Sequence, residues 1–176
     1  MERKNILIIG AGAHAKVILE AILLQDEYHV IGFCVDTMAI GDTVFADYSV
    51  ISDARLTNLP HTPSLYFVVA IGDNAARKEF YDSAQLKFTP AAIVHPRSYV
   101  SAKARVGSGS VILAGAIVNA TSSIGDNTIV NLGVIVDHDC SIGDHAHLSP
   151  GTIVGSYASI ADETTTSIGQ IIVSSK

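Results

Sequence analysis

A period of six residues constrains this chain more than any other feature. Stepping by six from Val94 gives Val100, Val106, Ile112, Val118, Ile124, Val130, Val136, Ile142, Leu148, Val154 and Ile160, twelve aliphatic residues in one phase. Four places after each comes a residue of small or modest size: Ser98, Ala104, Ser110, Ala116, Ser122, Thr128, Val134, Cys140, Ala146, Thr152, Ala158 and Thr164. Such a period matches neither an α-helix nor an alternating strand, and it is the signature of a parallel β-helix. Three hexads make one triangular coil, and the twelve hexads make four coils, stacked about 4.8 Å apart. The aliphatic position points inward and the small one fills the corners. A prism with flat sides packs readily into a cyclic trimer. The next residue in phase is Thr166, and Ile168-Gly169 falls two places late. The ladder is therefore expected to stop at Ile160, with about one coil beyond the coil holding His138 and an uncapped end.

The ladder also explains the composition. The chain has 176 residues, 48% hydrophobic and only 16% charged, and inward Val and Ile account for that excess. A membrane span is not expected, because Glu20, Asp26, Glu27, Arg55 and Asp73 interrupt every apolar run before it reaches about 18 residues. A net charge of −6 with 11 dispersed basic residues excludes phosphate-backbone binding to nucleic acid. Small anions remain accessible to glycine turns and helix N-termini. Cys34 and Cys140 are too few and too far apart for a disulfide framework or a zinc site. Met1-Glu2-Arg3-Lys4 runs straight into a strand, so no secretory leader is expected and the cytoplasm is the default compartment.

Before the ladder the pattern changes. An apolar run from Asn5 to Ile9 ends in Gly10-Ala11-Gly12-Ala13-His14-Ala15-Lys16, a helix is expected over Val17 to Gln25, and a second strand from His29 to Val35 ends at Asp36. Strand, glycine turn, helix, strand and terminal acid form the first unit of a nucleotide-binding α/β domain. Gly10 and Gly12 allow close backbone approach, Ala15 takes the third glycine position, and Asp36 lies 24 residues after Gly12. The bland alternative is a tight turn that binds nothing. Gly41 to Ser64 reads as a loop-rich connection, Leu65 to Ile71 as a third strand, and Asp73 as the N-cap of a helix from Ala75 to about Leu86. Arg77 and Lys78 in its first turn oppose the helix dipole and are expected to face an anion or the neighbouring domain, or else solvent. Pro90 and Pro96 bracket a short strand, Ala91 to Val94, where the domains join. The expected division is 1–90 for the Rossmann-like domain and 91–176 for the β-helix.

Polar exceptions within the repeat mark where chemistry can sit. They cluster in Asp137-His138-Asp139-Cys140 and Gly143-Asp144-His145-Ala146-His147. His138 occupies the third position of its hexad, at a bend, so its side chain should point outward. Asp137 or Asp139 can hold the imidazole in one tautomer and raise its basicity. The competing reading is an ordinary surface histidine. His147 follows by nine residues, half a coil, so the two face different sides of one prism and would share a site only between subunits.

Taken together, GAGAHAKV, FCVD, AIGDNAARK and VDHDCSIGDHAHLSPG resemble the NeuD/PglD type of sugar acetyltransferase, over about residues 4 to 160. The resemblance implies a left-handed parallel β-helix, against the usual right-handed crossover rule, and a homotrimer. It implies acetyl transfer from acetyl-CoA to an amino or hydroxyl group of a nucleotide-linked or free sugar, as in bacterial glycan precursor synthesis, with no metal. The family's catalytic histidine falls on His138, with Asp139 beside it. The nucleotide-sugar end falls on Gly10, Gly12, His14, Lys16 and Asp36, and the acetyl-CoA side on His147 and Gly155. Ala13 and Ala15 stand where relatives favour glycine, Thr37 stands where some carry a second acid, and relatives continue through further coils that help hold coenzyme A.

Three kinds of activity are thus in view. The first is N-acetylation of a nucleotide-linked amino sugar, with O-acetylation of a sialic-acid-like sugar as its near alternative. The second is a metal-dependent hydratase using His138, His145 and His147. The third is a truncated, inactive nucleotide-sugar-binding trimer, which the early end of the ladder supports.

Overall fold

Ile6, Leu7, Ile8 and Ile9 are all fully buried, as continuous apolar strands are when covered on both faces. In the computed structural model, which describes residues 3–174, they form β1 (Lys4–Ile9), followed by α1 (Ala13–Gln25) and β2 (Tyr28–Cys34). Next come β3 (Thr43–Phe45), β4 (Tyr48–Ser52), β5 (Tyr66–Val69), α2 (Asn74–Ala84) and β6 (Thr89–Pro90). The six strands make one sheet in the order β3-β4-β2-β1-β5-β6, parallel except where β3 meets β4.

Three details depart from expectation. Residues 41–64 contain β3 and β4 rather than loop alone. Apart from Ser49 and Ser52 their residues are β-branched or aromatic, and Phe33 of β2 packs edge-on against Phe45 at 5.6 Å and Tyr48 at 6.3 Å. The stretch from Ala91 to Val94 is not one strand. Thr89–Pro90 closes the edge beside β5, and Ile93–Val94 opens the repeat. Third, Arg77 is only 1% exposed, so it faces neither solvent nor an open surface. Its Nη1 donates to the carbonyls of Ile71 (3.2 Å) and Gly72 (3.0 Å), and its Nη2 donates to Asn74 Oδ1 at 2.7 Å. Burial pulls this guanidinium down to about 10, so it stays charged at neutral pH while tying the β5 end to the start of α2. Asp73 caps α2 by accepting the Ala76 N–H at 2.9 Å.

Chain contacts divide the protein into Met1–Ala91 and Ala92–Lys176. The second unit starts with β7 (Ile93–Val94), β8 (Tyr99–Val100), β9 (Arg105–Val106), β10 (Val111–Ile112), β11 (Ile117–Val118) and β12 (Ser123–Ile124). It continues with β13 (Ile129–Val130), β14 (Ile135–Val136), β15 (Ser141–Ile142), β16 (His147–Leu148), β17 (Ile153–Val154), β18 (Ser159–Ile160) and β19 (Ile171–Ile172). Successive strands alternate among three parallel sheets, β16-β13-β10-β7, β19-β17-β14-β11-β8 and β18-β15-β12-β9. Every rung is offset by one coil, as in Val118↔Val136 and Val136↔Val154.

Inward aliphatics from Ile112 to Ile160 form one core cluster with the corner residues Ala116, Val134, Cys140, Ala146 and Ala158. The polar corner residues are buried but satisfied. Ser110 Oγ donates to Gly125 O at 2.6 Å and Thr128 Oγ1 donates to Gly143 O at 2.8 Å, which explains why small hydroxyls recur there.

The ladder does not stop at Ile160. Ile171 pairs with Ile153 and Ile172 with Val154, and Ile172 lies in the phase of the repeat. Between them, Thr166 fills the inward position at 4% exposure. Its Oγ1 accepts the Ser149 N–H at 2.8 Å and shares a hydrogen bond with Thr152 Oγ1 at 2.7 Å. A buried hydroxyl with two partners thus replaces one aliphatic rung without ending the coil.

Candidate active site

His138 follows β14 at a corner of the prism, where Asp137 N–H still bonds Val154 O at 2.9 Å. Asp137 does not reach the imidazole. Its Oδ1 accepts the His138 backbone N–H at 2.8 Å and Asn119 Nδ2 at 3.2 Å, and its Oδ2 accepts Ser156 Oγ at 3.0 Å. The His138 N–H and the Ser156 hydroxyl hold this carboxyl below the usual carboxylate range. Asp137 therefore fixes the corner backbone.

Asp139 holds the ring. Its Oδ2 accepts His138 Nδ1 at 2.8 Å, and its Oδ1 accepts Thr121 Oγ1 at 2.6 Å. The hydrogen bond to Asp139 raises the His138 pKa above its ordinary value, and the negative charges of Asp137 and Asp139 add to it. With Nδ1–H donated to a carboxylate, the neutral ring carries its lone pair on Nε2. The side chains of His138 and Asp139 are 43% and 41% exposed, and the Tyr157 ring stands edge-on to the imidazole at 5.3 Å. The corner presents a basic nitrogen to the outside.

His147 lies on β16, in a different sheet from β14. Its Nε2 accepts from Asn131 Nδ2 at 3.1 Å. His145 makes the equivalent contact through Nδ1 with Asn127 Nδ2 at 2.9 Å. No three His, Cys, Asp or Glu side chains among the described residues gather where they could hold a metal ion. Gly155 donates its N–H to Ile172 O at 2.8 Å, and an added Cβ there would lie 3.3 Å from that oxygen. Both cysteines are free and buried.

In the N-terminal unit, Gly10 has φ +101°, and a Cβ there would meet Ile71 Cγ1 at 2.9 Å. Only glycine fits. Gly12 caps α1 with no side-chain bond, and a Cβ there would meet nothing within 4 Å, so space is open in front of the helix. Lys16 Nζ stands 5.0 Å from the centre of the Phe45 ring. Asp36 is exposed at the end of β2, with Oδ1 accepting the Ala54 N–H at 2.9 Å. His14 sits in the first turn of α1, half-buried.

Sequence reasoning missed Asn119, Thr121, Asn131 and Ser156. A usable signal exists for two of them. Asn119 and Thr121 lie one full coil before Asp137 and Asp139, so an offset of eighteen finds both.

Residues 5–84 match the family described as the PglD N-terminal domain. The acetyltransferase domain of PglB from Neisseria gonorrhoeae FA1090 superposes with a TM-score of 0.82 and 29% identity, covering 97% of this chain and 91% of that one. The same domain in complex with acetyl coenzyme A gives 0.81 and 29%, covering 98% and 94%. PerB from Caulobacter crescentus, in complex with CoA and GDP-perosamine, gives 0.72 and 28%, covering 97% and 91%. No curated protein sequence matches the chain. The chain thus joins a PglD-type N-terminal domain to a left-handed parallel β-helix, and along nearly its whole length it is similar to acetyltransferases of the NeuD/PglD type.

Proposed function

We propose that this protein is an N-acetyltransferase that moves acetyl from acetyl-CoA to the amine of a nucleotide-linked amino sugar, with His138 as general base. The observation that carries the reading is the 2.8 Å contact between His138 Nδ1 and Asp139 Oδ2, which leaves Nε2 outward and basic. The amine nitrogen bonds to the thioester carbonyl carbon, the C–S bond breaks, and Nε2 takes the amine's proton. That proton then passes to the coenzyme A thiolate. Asp139 orients the ring and stabilises the imidazolium. The neighbours support the acyl donor and the acceptor class: PglB is described with acetyl coenzyme A and PerB with CoA and GDP-perosamine.

The nucleotide end of the acceptor is assigned to Gly10, Gly12, His14, Lys16 and Asp36, and the acetyl-CoA side to His147 and Gly155. A homotrimer is part of the proposal. The outward residues of the five-stranded sheet are Tyr99, Ile117, Ile135, Ile153 and Ile171, and all are exposed. This apolar column adjoins the His138 corner, so covering it with a second subunit brings another chain to the site.

The test is His138→Ala. A drop of about 10²–10⁴-fold in kcat is expected, with nucleotide-sugar binding retained by calorimetry. Loss of sugar binding to the same degree would assign His138 a structural role instead. A coupled acetyl-CoA assay against nucleotide amino sugars and free sialic acid separates N- from O-acetylation.

A further inference from the structure

The β-helix is poor in positive charge. Between Ala92 and Ser174 its basic residues are Arg97, Lys103 and Arg105, against Asp126, Asp137, Asp139, Asp144, Asp162 and Glu163. Two of those three cations, Lys103 and Arg105, line a single cavity of about 300 Å³ with Thr121, Ser122 and Ser123. Neither cationic side chain pairs with a carboxylate among the described residues. Clustering unpaired cations on a chain of net charge −6 costs self-repulsion, and a bound anion relieves it.

The cavity is not remote from the chemistry. Lys103, Thr121, Asp139 and Tyr157 are spaced by one coil each, so they form a column along one corner. Thr121 donates to Asp139 Oδ1, and Asp139 holds His138. Two rungs separate Lys103 from Asp139, about 10 Å at ordinary strand spacing. Arg105 stands on β9 and pairs in register with Ser123 of β12, which supplies a hydroxyl on the adjacent rung. Ser122 is turned inward and bonds Asp137 O, so it contributes wall rather than ligand. Asp139 is the column's carboxylate, and both its oxygens are engaged, with His138 and Thr121.

We propose that the cavity formed by Lys103, Arg105, Thr121 and Ser123 is a phosphate site that anchors a phosphorylated substrate with its reacting end at His138. The site rests on the acetyl-transfer reading above, and it deepens that reading by locating a charged part of one substrate. A diphosphate is shared by coenzyme A and by a nucleotide-linked sugar, so the chemistry is common and the source is decided by experiment. Both cations are exposed side chains, so removing them leaves the fold intact and acts on affinity.

The experiment compares wild type with Lys103→Gln/Arg105→Gln by calorimetry with inorganic pyrophosphate and by steady-state kinetics. Pyrophosphate affinity is expected to fall about tenfold or more, as loss of charged hydrogen bonds implies, and Lys103→Arg should retain it. A matching rise in KM for acetyl-CoA assigns the site to coenzyme A, and a rise in KM for the nucleotide amino sugar assigns it to the acceptor. Pyrophosphate binding equal to wild type, with neither KM moved, overturns the proposal. The pyrophosphate arm needs no turnover, so failure of this site is distinguishable from failure of the acetyltransferase reading.

Discussion

Asp139 adopts φ +59°, in the left-handed region where Asp and Asn are the least strained of the non-glycine residues. That makes Asp139→Asn a clean probe, because the backbone preference survives while the charge on the ring disappears. His138 must be neutral to accept a proton, and its pKa is raised chiefly by the hydrogen bond to Asp139. The acidic limb of kcat/KM should therefore lie above the ordinary histidine value of about 6.5. In Asp139→Asn it should move down toward that value, read from a pH–rate profile. An unmoved limb would show that Asp139 does not tune the base. The bend position of His138 and its acidic neighbours were visible in the sequence. Which acid holds the ring was not, because adjacent residues on a corner differ only in the direction of their side chains.

At the level of elements, the β1–α1 turn separates two glycines of different purpose. Gly10 is strained for any other residue and packed against Ile71, whereas Gly12 opens onto free space. Gly10→Ala should cost about 1–3 kcal/mol from overpacking and left-handed strain, measured by denaturant unfolding. Gly12→Leu should leave stability nearly unchanged and instead raise KM for the nucleotide sugar, since the added side chain blocks the approach to α1. Unchanged KM would remove Gly12 from the acceptor site. In the repeat, Leu148 is fully buried within the continuous core, and Leu148→Ala should lose about 2–5 kcal/mol. The stacked corner glycines are equally intolerant: a Cβ on Gly125 would sit 2.4 Å from Asp144 Oδ1 and 2.6 Å from its backbone nitrogen.

For the whole molecule, the exposed column Tyr99, Ile117, Ile135, Ile153 and Ile171 is the surface that the proposed trimer would cover. Ile117→Asp combined with Ile135→Asp should convert the assembly to monomers, read by light scattering on a sizing column, with acetyl transfer falling in parallel. Mixing His138→Ala with His147→Ala subunits addresses the shared site, because the His138 corner follows β14 while His147 lies on β16, a strand of a different sheet. Partial recovery of activity in the mixture is expected if the site takes one histidine from each of two subunits. Equal inactivity of the mixture and its parents would place both in separate roles.

The sequence alone determined the period, the inward column and the corner residues, because closing a triangular coil leaves one aliphatic and one small position per hexad. It also carried the glycine turn and the histidine corner, since both are local. It misjudged the end of the ladder, because Thr166 is polar and its buried state depends on the Ser149 backbone N–H and the Thr152 hydroxyl of the preceding coil. Tertiary structure alone decided the burial of Arg77 against carbonyls at its own strand end, the entry of residues 43–52 into the sheet, and the support of Asp139 by Thr121. Each is a pairing of polar or edge groups whose partner is fixed by folding distance rather than by a repeating pattern.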